Sequence, residues 1–255
     1  MQASIALLFF YRMEKIIFRL LIITSSCSFS AKHVFIKDKL PWLEARDYCR
    51  EHHVDLSSIG THLEEKVFME SVDLNKTGWL GLYWDSETSK WRWSGGADYM
   101  YQDMLNGYLK KNYHLVWSPN GLLGLIDYSL RGFFCLNLAV VPEEKTWEEA
   151  LDHCRGAGND LASLLSESES VLVQTQIQHS GVSGPVWTGL RFLGDRWMWV
   201  NGDPLEYEAW TRTGDQEDQE DQEDRCPLWR RCGALTPEGT WEDRDCGEKL
   251  RFICG

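Results

Sequence analysis

The sequence predicts an α+β architecture built twice along a chain of 255 residues. Three observations predict it. One pattern recurs at a fixed offset, helical periodicity precedes short alternating strands within each copy, and a cysteine holds the same place in both copies.

The recurrence appears when "LPWLEARDYCREHHVDLSSIGTHLEE", residues 40–65, is set beside "KTWEEALDHCRGAGNDLASLLSESES", residues 145–170. Trp42, Ala45, Cys49, Asp55, Leu56, Ser58 and Glu64 return 105 positions later as Trp147, Ala150, Cys154, Asp160, Leu161, Ser163 and Glu169. The copies stay in step where "GWLGLYWDSETSKWRWSGG" from Gly78 matches "VWTGLRFLGDRWMWVNGD" from Val186, pairing Trp91 and Trp93 with Trp197 and Trp199. Two domains of about 105 residues follow, 33–137 and 138–255, with almost no linker between them.

In the second copy Thr146 caps a helix that presents Trp147, Ala150, Leu151 and Cys154 at steps of three, one and three, a stripe that carries the cysteine inward. A second helix follows Leu164, with Ser166 and Glu169 at capping-box spacing and apolar Val171, Leu172 and Ile177. Next come "VWTGL", a short strand, and "RWMWV", an alternating strand stopped by the turn residues "NGD". Trp197 and Trp199 share one face of that strand, which reads as core packing.

Composition narrows the function. With 43% hydrophobic residues and 13 Trp, the chain has enough apolar material for two cores. The net charge is -13, and Asp215–Asp224 alone holds seven carboxylates and no base, in the triplet repeat "DQEDQEDQED". Nucleic acid is excluded as a partner on this reading, because phosphate binding needs a basic face.

At the start, Arg12, Glu14, Lys15 and Arg19 break the apolar stretch, so no run reaches the roughly 20 residues of a stable membrane span. Read from Met13, a basic start, apolar Ile16 to Ile23 and small Ser28 and Ser30 predict a secretory signal peptide cut after Ser30, with residues 1–12 as an upstream extension. A type II membrane anchor is the rival reading. Export to the oxidising extracellular space argues that the eight cysteines form disulfides, and cleavage would remove Cys27 and leave seven. Asn75 in "NKT" is the one glycosylation sequon.

The helix cysteine, the W-x-G-L strand, the W-x-W strand and the terminal "CGALTPEGTWEDRDCGEKLRFIC" together resemble the C-type lectin-like domain, in tandem as in several fish lectins. The resemblance spans residues 33–255. It implies that Cys154 pairs with Cys254 and Cys232 with Cys246, which enclose thirteen residues in the inner bond. In the first copy it implies Cys49 with Cys135 and no inner bond. An inner loop of that size contributes up to about 3 kcal/mol, so the first domain is expected to be the less robust. Residues 105–129 fall where the long loop and last strands of the first copy belong, yet carry no recognisable site; a misplaced exon boundary would give the same break. Cys226 is left over. It bridges two chains, pairs with an uncleaved Cys27, or replaces Cys232; the spacing favours Cys232 for the inner bond, which leaves the interchain bridge as the leading reading for Cys226.

Sugar-binding members of this family hold calcium with an acid-Pro-amide or amide-Pro-Asp triplet, a later Glu, and the Asn and Asp of a W-N-D strand. Calcium takes six to eight hard oxygens, and those same groups grip vicinal sugar hydroxyls. Here no Pro lies between Pro204 and Pro227, and the triplet is absent. Glu223 and Asp224 resemble the acidic pair before the inner cysteine, and Trp241, Glu242 and Asp243 stand in place of W-N-D. The implied ligand set is Glu223, Asp224, Glu242 and Asp243, with Glu223, Glu242 and Asp243 as metal ligands and calcium as the cofactor. The repeat alone does not make a cage. Ordering ten residues costs on the order of 10 to 20 kcal/mol, whereas a millimolar site returns about 4.

Two functions compete. One is calcium-dependent carbohydrate binding by the second domain of a secreted lectin; the other is calcium-independent protein recognition through the acidic loop. Catalysis is not expected. His33, His52, His53, His62, His114, His153 and His179 are scattered, and neither G-x-S-x-G nor H-E-x-x-H occurs.

Overall fold

The computed structural model describes residues 32–99, 110–111, 113–210 and 230–255. The expected signal peptide, Cys27, the acidic repeat with Glu223 and Asp224, and Cys226 lie outside the described residues.

The first domain opens with β1 (His33–Leu40), then α1 (Trp42–His52), the short β2 (Asp55–Leu56) and α2 (His62–Ser71). There follow β3 (Gly78–Trp79), β4 (Leu82–Asp85), β5 (Lys90–Trp93), β6 (Tyr113–Ser118), β7 (Gly121–Ile126) and β8 (Arg131–Leu136). The second domain runs β9 (Ala139–Lys145), α3 (Trp147–Gly156), α4 (Glu167–His179), β10 (Val186–Leu193), β11 (Arg196–Trp199), β12 (Arg230–Leu235), β13 (Trp241–Asp245) and β14 (Leu250–Cys254). Its main sheet has the order β13-β12-β10-β14-β9, and the first domain repeats it as β7-β6-β3-β8-β1. In each sheet one central pair is parallel, β10 with β14 and β3 with β8. The segment around residues 105–129 thus supplies a hairpin, β6–β7, that is integral to the first sheet.

The repeat extends to individual hydrogen bonds. Trp79 Nε1 donates to the carbonyl of Leu40 and Trp187 Nε1 to that of Lys145, both at 3.0 Å. Trp42 and Trp147 donate to the carbonyls of Leu80 and Thr188 at 2.8 and 2.9 Å. Arg50 pairs with Asp55 as Arg155 pairs with Asp160. Buried polar groups need partners, and both copies satisfy the same indoles in the same way. Among the described residues three disulfides join Cys49 to Cys135, Cys154 to Cys254 and Cys232 to Cys246. Trp199 lies in the second core at 2% exposure, and Trp197 packs against that core.

Capping sets where the helices begin. Thr61 with Glu64, and Thr146 with Glu149, form reciprocal capping boxes. Ser166 accepts from the Glu169 N–H, but the Glu169 carboxylate departs from capping-box geometry: it takes the Leu165 N–H and Lys32 Nζ, both at 2.8 Å. Lys32 immediately precedes β1 of the first domain, and a charged donor is the stronger partner for a carboxylate with 0% exposure.

The two domains are docked through their second helices. Leu63 and Val67 of α2 pack into the core of the second domain, while Leu172 of α4 packs on Val54 and Leu136 of the first. Val67 and Leu172 are themselves 105 positions apart, so the same helix face is used twice. Gly95 admits the helix closely; a Cβ there would sit 2.5 Å from Leu172. Between the helices Ser166 bonds the buried Glu64 carboxyl, which also accepts from the Gly60 and Thr61 N–H groups. Burial and then the Glu169 charge raise the Glu64 pKa well above the usual carboxylate range.

Candidate ligand-binding rim of the second domain

The rim is built on β13. Trp241 begins the strand, 1% exposed, and is held by an aromatic cluster: Trp199 at 5.4 Å, Tyr207 and Trp210 each at 5.5 Å, all near edge-to-face. Its N–H donates to the Ala209 carbonyl at 2.6 Å, and Trp210 bridges to it in parallel. At the other end of the strand Asp245 pairs with Arg230 of β12. Trp210 and Arg230, which flank residues 211–229 in the sequence, thus sit beside Trp241 and Asp245, at the two ends of the strand that carries Glu242 and Asp243.

Glu242 and Asp243 lie opposite Ala234 and Gly233 of β12 and are partly buried. Glu242 Oε1 accepts from Arg244 Nε at 2.9 Å, and Arg244 reaches Glu248 at 3.0 Å. Partial burial lowers the Arg244 pKa, but the hydrogen bond and charge of Glu242, then of Glu248, outweigh it and raise the value. A guanidinium thus occupies an oxygen of the residue that stands in place of the W-N-D amide. The amide of a W-N-D strand would carry no charge and offer both a donor and an acceptor. Glu242 offers acceptors only, and one is occupied.

In the first domain the matching strand is β7. Gly78 and Trp79 pair with Trp117 and Val116 as Val186 and Trp187 pair with Leu235 and Ala234. Following these registers, Leu122, Leu123 and Gly124 take the places of Trp241, Glu242 and Asp243. That strand presents no side-chain oxygen at the three positions. Among the described residues no group of three or more His, Cys, Asp or Glu is placed to hold a metal. Glu223 and Asp224 lie outside the described residues, so their distance to Asp243 is not part of this geometry.

Sequence reasoning missed two features, one at this rim and one in the first domain. Trp210 and Tyr207 fix Trp241, a role that "YEAW" signals only as aromatic residues beside a loop. His33 is 2% exposed, with Nδ1 3.0 Å from Ser57 Oγ and an edge contact to Phe68. Burial, then the charge of Lys32, lowers its pKa to about 3.

The paired sheets, the disulfide closing each domain and the W-x-D strand define a C-type lectin-like architecture. The chain belongs to the Lectin C-type domain family, which it matches over residues 38–120 and 143–255. Human lymphocyte antigen 75 is 23% identical over 257 residues, covering 84% of this chain and 14% of that protein. Human C-type mannose receptor 2 is 31% identical over 113 residues, covering 43% of this chain and 7% of the receptor. Dromaiocalcin-1 of Dromaius novaehollandiae is 33% identical over 116 residues, covering 44% of this chain and 76% of that protein. The chain thus spans 14% or less of the two human relatives. Similar solved structures include human lithostathine, at 25% identity and TM-score 0.39, and Gallus gallus ovocleidin-17, at 27% and 0.39; each covers 46% of this chain and 88% of that one. Members of the family are generally non-catalytic recognition proteins, and the fold supports that class here.

Proposed function

We propose that the chain is a secreted recognition protein whose second domain binds a protein ligand without calcium, through the rim of β13 and the acidic segment Asp215–Asp224. The observation that carries this reading is the Glu242–Arg244–Glu248 network: Glu242, an acceptor-only carboxylate at the position of the W-N-D amide, is tied to Arg244. The seven carboxylates of Asp215–Asp224 add a sequence-independent attraction for a basic partner, felt over about 8 Å at physiological salt. The disulfides and the exposed sequon at Asn75, in the turn after α2, support an extracellular, glycosylated chain. Among the described residues no helix is long and apolar enough to cross a membrane. Cys226 remains the proposed site of a disulfide-linked dimer.

A second reading keeps calcium and carbohydrate. Asp243 stands at the W-x-D position, and Glu223 and Asp224 form the acidic pair before the inner cysteine in the sequence, so these carboxylates and Glu242 would form the ligand set. Glycan and extracellular-protein arrays probed with the full chain, in calcium and in EDTA, separate the two. Protein ligands retained in EDTA, with no glycan signal in calcium, support the first reading. Glycan binding abolished by EDTA overturns it.

A further inference from the structure

The registers that align the two sheets also locate the vacancy left by the missing inner disulfide. Val116 corresponds to Ala234, so His114, two residues earlier on β6, corresponds to Cys232 on β12. Leu125 lies opposite His114 as Arg244 lies opposite Cys232, so Asp127, two residues later, corresponds to Cys246. A hydrogen bond confirms the match. The N–H of Trp42 donates to the Asp127 carbonyl at 2.9 Å, and the N–H of Trp147 to the Cys246 carbonyl at 3.0 Å.

The surroundings have changed with the pair. In the second domain Arg191 lies over the Trp147 ring at 4.6 Å and reaches Cys232 Sγ at 3.2 Å. In the first, Tyr83 stands in the place of Arg191, 5.6 Å from the Trp42 ring, and His114 stacks on Trp42 with centroids 4.3 Å apart and planes 21° from parallel. His114 Nδ1 is buried and meets no hydrogen-bond partner among the described residues, while the ring also bonds the Leu82 backbone carbonyl. Protonating Nδ1 would create a second N–H with no acceptor, in a site of aromatic rings.

We propose that His114 and Asp127 replace the inner disulfide of the first domain with a non-covalent latch, His114 stacked on Trp42, and that acid opens it. Among the described residues the charged or titratable groups around the ring are few. Asp127 faces it from beyond β7; α1 contributes Arg46, whose guanidinium is 5.7 Å from the Trp42 ring; β3 and β4 contribute Trp79 and the neutral Tyr83; and Asp85 of β4 is held by Thr88 and Arg92. Asp127 favours the charged imidazole, but burial is the larger effect and lowers the His114 pKa from 6.5 to about 4. The sign follows. A base whose folded pKa is depressed contributes stability above its unfolded value, and loses it as pH falls from 6.5 towards about 4.

Two experiments on the full chain test the two halves of the proposal. The double variant H114C/D127C is refolded with oxidised glutathione, whose disulfide is reduced to two thiols as the new bond forms. An equal number of free thiols in variant and parent is expected; two more in a folded variant would overturn the positional match. Hydrogen exchange, corrected for the intrinsic rate at each pH, is then followed in residues 113–126 and 230–254. Loss of protection between pH 6.5 and about 4 is expected in the first segment only, and His114→Phe should move that loss to lower pH, His33 accounting for the remainder. An unchanged acid profile in a His114→Phe chain that is folded at neutral pH would overturn the acid-operated latch.

Discussion

At Glu242 one contact, Arg244 Nε at 2.9 Å, separates this rim from a W-N-D strand. The pair is about 29% exposed on each side, so Glu242→Asn should change stability by less than about 1 kcal/mol in urea unfolding. The same variant should gain no glycan affinity, because the proline triplet of the long loop is also absent. Glu64 makes the opposite kind of prediction, since its surroundings are buried. Its pKa is raised, first by burial and then by Glu169, so the protonated form contributes stability that is complete below the ordinary carboxylate range and is lost as pH rises towards neutrality. Glu64→Gln, close in shape to the protonated acid, should remove that slope. Thermal melts of variant and parent from pH 4.5 to 7.5 check it as a difference, which cancels the opposite slopes of His33 and His114. None of this was legible in the sequence, where Glu64 appeared only as a recurring residue: its neighbours Ser166 and Glu169 lie more than 100 positions away.

The elements show which readings survive from short range. Thr146 and Glu149 are three residues apart and meet as their spacing requires, because a cap is settled within one turn. Ser166 caps as expected, yet its Oγ also bonds Glu64 in the other domain. Ser166→Ala should therefore cost more than Thr146→Ala. The exposed cap is worth about 1 kcal/mol, and the buried one adds about 1 to 3 kcal/mol for a carboxyl that loses a partner. Chemical denaturation of the two variants measures the difference. The hairpin β6–β7 was the least legible element. Residues 113–126 lack the cysteine and the W-x-D signature that mark β12 and β13, and their identity follows from strand register alone. Replacing Cys232 and Cys246 by Ser should destabilise the second domain by about 3 kcal/mol, the loop-closure value for a separation of 14 residues.

Across the whole molecule, the repeat at 105 residues made the two domains readable, because each copy carries its own buried stripe and its own tryptophan anchors. Their docking was not readable. Val67 and Leu172 look like the inner face of an ordinary amphipathic helix, and only the structure shows that each faces the neighbouring domain. The docked pair brings together a first domain whose β7 offers Leu122, Leu123 and Gly124 and a second whose β13 offers Glu242 beside a fixed Arg244. The central claim is that this rim recognises its ligand without calcium. Calorimetric titration of calcium into the full-length chain, paired with melting curves in calcium and in EDTA, tests it most directly. The account predicts no saturable heat and superimposable melts; one-to-one binding, with a melting temperature that falls in EDTA, would contradict it.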